Sequence, residues 1–390
     1  MKEMRLGKVA VAASALLCAT AHAQSSVTLY GLIDESVQYV HNVADPGGKN
    51  ANRVALYNGN IQGNRWGLRG AEDLGGGVKA VFVLESGFNI NNGQLGQGGR
   101  LFGRQAYLGL DSANYGRLTV GRQYDPLVDL VAPLTGVTFG GSSFAAPGDI
   151  DNNDNNSRVS NSIKVTFPKL YGVQFEGMYA LGGTAGQTGS GQTWAVAGAY
   201  SVNGLSIGAG YISADNSASN VPRANTPSPW GGTIDGNFGS VVNSGAKTAK
   251  GYDIASIALS YLTGPVTLGA RYSNARYIPD AASSFRSTEV FNTAAGFMTY
   301  NVTSLFAVGG QYNYTHANGP ARADYHQVSL GADYLLSKRT DLYLLGVYQH
   351  ASGNQIGVSP AAATAGDYGY TSAFGSHTQE IASAGIRHKF

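Results

Sequence analysis

The sequence predicts an all-β fold, a sixteen-stranded antiparallel transmembrane β-barrel with an inward-folded third loop. Three observations predict it. Apolar and polar residues alternate with period two along almost the whole chain after residue 23. Short turns and long loops interleave strictly between the alternating stretches. One long connection, about residues 123–157, is too apolar in its first half to run through open solvent. Period-two alternation gives a strand two unlike faces, and short turns on one rim with long loops on the other is the arrangement of outer-membrane barrels. With 55 Gly and 23 Tyr but 12 Pro and one Cys, the composition suits many strands and turns, as it also suits a soluble β-sandwich.

The chain opens with a basic stretch containing Lys2, Arg5 and Lys8, followed by the apolar run Val9 to Ala19. That run is too short to cross about 30 Å of hydrocarbon. It reads as a secretory leader, and Ala21-His22-Ala23 supplies the small-x-small cleavage pattern, so residues 1–23 are expected to be a cleaved signal peptide and 24–390 the barrel. Cys18 follows the bulky Leu17, which disfavours a lipoprotein leader. Without the leader, 26 Lys and Arg less three, and 24 Asp and Glu less one, become 23 of each. Net charge zero argues for no nucleic-acid partner. The sole Cys leaves with the leader, so the exported fold holds without disulfides.

The strands follow in order. Val27, Leu29, Gly31, Ile33, Val37 and Tyr39 share one face of the first, with Glu35 an exception on that apolar face. The same alternation recurs at Val266–Tyr272, Phe306–Tyr314 and Val328–Tyr334. Seven short turns, such as 73–77, 202–204 and 263–265, alternate with eight long loops near 41–51, 91–101, 123–157, 181–191, 214–249, 276–287, 315–323 and 351–377, which gives sixteen strands. Gly, Asn and Pro at the short connections are turn chemistry. Tyr179, Tyr211, Tyr261, Tyr272, Tyr314, Tyr334 and Tyr348 end apolar rows, as girdle aromatics do. The last strand runs to a terminal Phe390 sharing a face with Ala382, Ala384, Ile386 and His388, which resembles the signal read by the outer-membrane assembly machinery.

The motifs Ser26-Val-Thr-Leu-Tyr-Gly31, Asn64-Arg-Trp-Gly-Leu-Arg-Gly70 with its continuation to Gly77, Gly103-Arg-Gln-Ala-Tyr-Leu-Gly-Leu110, Gly121-Arg-Gln-Tyr-Asp125, Asn156–Ile163 and Gly385–Phe390 stand in this order. Together they make the chain resemble the Gram-negative trimeric general porins of the beta-proteobacterial type. The resemblance implies a homotrimer in contact with outer-membrane lipid and lipopolysaccharide, passing small hydrophilic solutes and inorganic ions by diffusion, with no cofactor. It also implies an arginine cluster facing the third loop, which residue by residue falls on Arg65, Arg69, Arg104 and Arg158. Strand parity places Arg65, Arg69, Lys79 and Arg117 on the inner face, and Arg122 reads as a loop anchor. The loop tip 132–141 carries no acid, where the family often has one; Asp125 and Asp129 are its nearest acids before the tip. Rings of Arg and Lys favour anions in a pore, so an anion preference is expected, with the constriction at Arg65, Arg69, Lys79, Arg104, Arg117, Arg158, Asp125 and Asp129.

No metalloprotease, nucleophile-elbow or phosphate-loop motif stands in the chain, so an enzyme is not expected. The run Asp149 to Asp154 has calcium-friendly side chains but lacks the Gly and terminal Glu of an EF-hand loop, and reads as a solvated loop. A substrate-specific channel of the same architecture and a secreted β-rich adhesin remain as alternatives.

Overall fold

The computed structural model describes residues 26–217, 222–225, 229–356, 361–373 and 375–390; the expected leader lies outside them. The strands are β1 (Ser26–Ala44), β2 (Asn50–Asn58), β3 (Arg65–Gly75), β4 (Val78–Gly87), β5 (Gln105–Ser112), β6 (Gly116–Gln123), β7 (Val159–Thr166), β8 (Val173–Ala180) and β9 (Thr193–Val202). They continue with β10 (Leu205–Asp215), β11 (Gly251–Thr263), β12 (Val266–Ile278), β13 (Glu289–Asn301), β14 (Phe306–Asn318), β15 (Arg322–Leu335), β16 (Thr340–Asn354) and β17 (Thr378–Lys389). These seventeen segments form one antiparallel sheet that closes through β1 and β17. β2 and β3 both pair with β1, one along its upper half and one along its lower, so they are two halves of a single stave. Seventeen segments therefore make sixteen staves, as the alternation predicts. The break at 59–64 is invisible to a period-two reading, because both halves keep the pattern.

Closure depends on one glycine. Phe390 N–H donates to the Gly31 carbonyl and Gly31 N–H to the Phe390 carbonyl, each at 3.0 Å. A Cβ on Gly31 would stand 2.4 Å from the Phe390 ring. The terminal residue is thus part of the seam between first and last staves.

The two faces separate as the sequence requires. Leu29, Val37, Leu56, Leu108, Val196, Leu259, Leu330 and Leu344 are outward and exposed. Bare aliphatic side chains on a closed barrel belong against lipid. Tyr179, Tyr261, Tyr272, Tyr334 and Tyr348 are on the same surface. The inner face carries Gln38, Gln311, Gln327, Gln349 and Gln379, all buried.

The third loop, residues 124–158, packs on Gln311 and Gln327, and the eighth on Gln349 and Gln379. Gln311 donates to the Phe144 carbonyl at 2.5 Å, Gln327 to that of Ala145 at 3.1 Å, and Ser329 to that of Ser143 at 2.6 Å. Asp151 accepts from Ser273 at 2.6 Å and pairs with Arg271. Room for the loop comes from small wall residues. A Cβ at Gly208 would meet the Leu130 carbonyl at 2.6 Å, and one at Gly309 or Gly331 would meet the Phe139 ring at 2.6 and 2.8 Å. Phe139 and Phe144 pack edge to face, with centroids 5.8 Å apart, which gives the apolar part of the loop its partners.

Two expectations need correction. The Asp149–Asp154 run is not a solvated loop: Asp149, Asp151, Asn152 and Asn153 are buried between the wall and other loops. Asp149 accepts from the Asp154 N–H at 2.8 Å and from the Asn156 side chain at 2.9 Å, so the run turns on itself. The seventh long connection shrinks to residues 319–321, because β14 and β15 stay paired out to Asn318 and Arg322. Polar residues at the strand ends made that ladder look like a loop.

Candidate functional site

The site is built where the broken stave, the third loop and β4 meet. Along β4, Lys79, Val81, Val83 and Glu85 take the inner face by parity, and Glu85 ends the row nearest mid-barrel. Glu85 is 3% exposed. Its Oε1 accepts from Arg104 Nε at 2.8 Å and from the Tyr124 hydroxyl at 2.7 Å. Its Oε2 accepts from the Tyr30 hydroxyl at 2.9 Å and faces Arg65 Nε at 3.8 Å. Arg104 Nη2 also donates to Tyr124 at 2.8 Å. One carboxylate thus fixes two guanidiniums and two phenols, a geometry that orders long side chains through charge-assisted hydrogen bonds.

Arg158 completes the group from the far end of the third loop. Its guanidinium and that of Arg104 each stand 5.8 Å from the Tyr124 ring. Arg158 Nη1 donates to the Asn156 carbonyl at 2.9 Å, and its Nε, buried, has no hydrogen-bond partner. Arg158 forms no ion pair among the described residues. Burial and the neighbouring Arg104 lower its pKa to about 10, which still leaves it charged at neutral pH. Within this group three cations stand with one carboxylate, and Asp154 and Asp367 line the same cavity.

These residues line a cavity of about 440 Å³ with Tyr57, Thr138, Asn153 and Asn155. Below it a second cavity of about 700 Å³ is lined by Arg65, Arg69, Arg117 and Lys389. Together they trace a water-accessible track along the β1–β6 wall, while the third loop fills the opposite side.

Of the residues singled out from the sequence, the structure brings Arg65, Arg104 and Arg158 together. Arg69 lies lower, 5.3 Å from the Tyr30 ring. Arg117 is lower still and holds Asp111 through two hydrogen bonds of 3.1 Å. Lys79 is exposed at the short-turn rim, opposite Asp73 and Asp111 in the ladder. Neither acid of the loop's first half lines the upper cavity. Asp125 caps the helix Pro126–Leu130 through the N–H groups of Leu127 and Val128 and accepts from Asn152 at 2.9 Å. Burial raises its pKa to about 6, against the pull of those N–H donors. Asp129 pairs with Lys164 at 2.5 Å, behind the loop. Arg122 pairs with Asp235 of the fifth loop and donates to the Gly103 carbonyl.

The sequence reading missed Glu85, Tyr30 and Tyr124. Glu85 was within reach, since it shares the parity of Lys79 six residues on. The carboxylate that orders the arginines stands on the same inner row as Lys79.

A family model described as Gram-negative porin matches residues 10–354. An outer membrane porin protein of Bordetella pertussis is 32% identical over 373 residues, covering 88% of this chain and 94% of its own. Outer membrane porin protein 32 of Delftia acidovorans is 28% identical and covers 98% of this chain and all of its own. Among solved structures, an anion-selective porin from Comamonas acidovorans superposes with TM-score 0.73 at 23% identity, over 94% of this chain and 100% of that one. OmpT of Vibrio cholerae in a trimer form gives TM-score 0.63 at 13% identity, over 94% of this chain and 99% of that one. At these identities the two structures speak for the fold alone.

Proposed function

Because the chain belongs to the Gram-negative porin family, we propose that its channel prefers anions through the cluster of Arg65, Arg104 and Arg158. The protein is an outer-membrane β-barrel porin and not an enzyme. The finer reading rests on one observation: Arg65 and Arg104 meet on Glu85, and Arg158 joins Arg104 at the Tyr124 ring beside the same cavity. Charges across a narrow aqueous gap with low-dielectric walls focus their field on a passing ion, and a cationic ring lowers the energy of an anion there. The third loop, about 123–157, narrows the lumen by bulk, with its apolar residues against the wall. Arg69 and Arg117 carry the positive potential on towards the short-turn rim, Arg117 largely offset by Asp111.

In this reading the mature protein begins after residue 23, and three copies assemble, as the trimer form of a solved neighbour does. Small hydrophilic solutes and ions pass by diffusion. The test is reversal potential in a salt gradient across a planar bilayer. Replacing Arg65 and Arg158 with glutamine is expected to move it towards cations; an unmoved potential would remove the cluster from the account.

A further inference from the structure

Four cations of the track wall stand against aromatic rings, which a preference for inorganic anions leaves unexplained. All four cation–π contacts among the described residues lie on this one wall. Highest is Arg53, on the inner face of β2, its guanidinium 4.7 Å from the Tyr370 ring of the eighth loop. Tyr370 stacks on Tyr368 with centroids 6.1 Å apart. Tyr57, on the same inner row as Arg53 and nearer the waist, meets Tyr368 and Tyr370 edge-on at 5.0 and 6.1 Å. Next come Arg104 and Arg158 at the Tyr124 ring, then Arg69 at the Tyr30 ring. Tyr57 and Tyr124 line the upper cavity, Tyr30 and Tyr107 the lower. The Tyr30 ring lies across Gly67 of β3, where a Cβ would come 2.9 Å from its Cζ and hydroxyl, so it runs along the wall instead of into the gap. Tyr30 and Tyr124 serve Glu85 with their hydroxyls; Tyr57, Tyr107 and Tyr370 make no hydrogen bond to that carboxylate.

We propose that this wall is a binding track for small planar aromatic carboxylates of the size of benzoate. The proposal rests on the anion reading above and names a solute class for it. A guanidinium offers two surfaces: in-plane N–H groups that hold a carboxylate by paired hydrogen bonds, and a flat face that stacks on rings. Beside each tyrosine of the wall, both surfaces meet one molecule. The carboxylate takes the guanidinium edge, and the solute ring takes the tyrosine or the guanidinium face in offset or edge-to-face contact. A saturated acid of the same charge and size gains the first contact and only area burial from the second. The two cavities, of about 440 and 700 Å³, each have room for a benzoate. Arg53 receives the solute, Arg158 and Arg104 hold it at the waist, and Arg69 passes it on. Several weak sites in line let a solute bind and still leave, as conduction requires.

The experiment is block of chloride current through the purified full-length channel in a planar bilayer at neutral pH, with potassium benzoate or potassium cyclohexanecarboxylate added to KCl. The two blockers share charge and approximate size, and only benzoate has an aromatic face. For the natural chain we expect benzoate to halve the current at a concentration about fivefold lower, the order that aromatic pairing adds beyond buried area. The double variant Tyr57→Leu with Tyr370→Leu is expected to bring the two blockers to within about twofold, with these aromatic contacts gone, and to leave the reversal potential in plain KCl as in the natural chain. Tyr57→Phe with Tyr370→Phe is expected to keep the full difference, since it keeps the ring faces. Where the double leucine chain does not fold, Tyr107→Leu in the lower cavity is expected to lower the ratio on the same ground. Equal block of the natural chain by both acids, or a leucine variant that conducts normally and keeps the full difference, overturns the proposal. Equal block in a channel that still prefers chloride removes this proposal and leaves the anion reading standing; a ring preference in a channel that prefers potassium in plain KCl does the reverse.

Discussion

Glu85 shows how one side chain both orders a group of cations and offsets their charge. It holds Arg104 and Arg65 in place and cancels part of their charge. Glu85→Gln keeps an acceptor for Tyr30 and Tyr124 but leaves Arg104 buried without its counter-ion. Anion preference is expected to rise about threefold, the order a unit charge carries across a watery gap of about 6 Å. Removing one partner of a buried pair also costs about 3–5 kcal/mol, expected as a lower temperature for the shift in heat-modifiable gel mobility. An unchanged reversal potential with normal folding would mean that Glu85 faces no permeant ion. At this scale the sequence was legible in part. Parity placed Arg65 on the inner face, because a strand's alternation fixes which face a side chain takes, while Arg104 and Arg158 were singled out by the resemblance to the porin motifs alone. It could not show Asp125 as a helix cap, since an acid before Pro126 has the same composition whether it lines water or caps a turn. Nor could it bring Asp367 to Asp154, because loop-to-loop contacts follow no period.

The elements themselves were the most readable part. Sixteen staves follow from turn chemistry and alternation, and the misread ones are informative. The gap between β2 and β3 keeps the alternation on both sides, so only the pairing of both halves with β1 reveals it. The seventh loop was over-long because strand ends above the membrane are polar. The third loop's attachment gives a sharp test. Arg271 and Asp151 are both almost wholly buried, and Ser273 adds a hydrogen bond to the same carboxylate. Asp151→Asn is expected to cost about 3–5 kcal/mol of loop attachment. Single-channel traces should then show larger and noisier steps, as the loop leaves the wall; steps of natural size and quietness would show the attachment redundant. The seam makes a second test. In Gly31→Val, the added side chain meets the Phe390 ring where a Cβ alone already comes to 2.4 Å. Such overpacking costs about 1–3 kcal/mol even where neighbours can move, and here it opens the seam between the first and last staves. We expect loss of the heat-modifiable folded band; a variant that folds and conducts as before would mean that the ends can close without Phe390 on Gly31.

At the scale of the whole molecule, the barrel makes sense of a composition that looks unpromising for a core. Net charge near zero, abundant Gly and no disulfide fit a protein whose outside is apolar and whose inside is a layer of amides holding loops. The wide lumen of a sixteen-stave barrel needs filling, and the third, fifth and eighth loops fill one side of it. What remains open runs down the β1–β6 wall, past Arg158, Arg104 and Arg65 and then Arg69 and Arg117. The whole account turns on the sign of the field in that track. The most direct measurement is the zero-current potential of the natural channel between roughly tenfold different KCl solutions at neutral pH, where selective passage of one ion sets the sign. The account predicts a dilute side that becomes negative, from chloride crossing faster than potassium. A dilute side that stays near zero or becomes positive would contradict it.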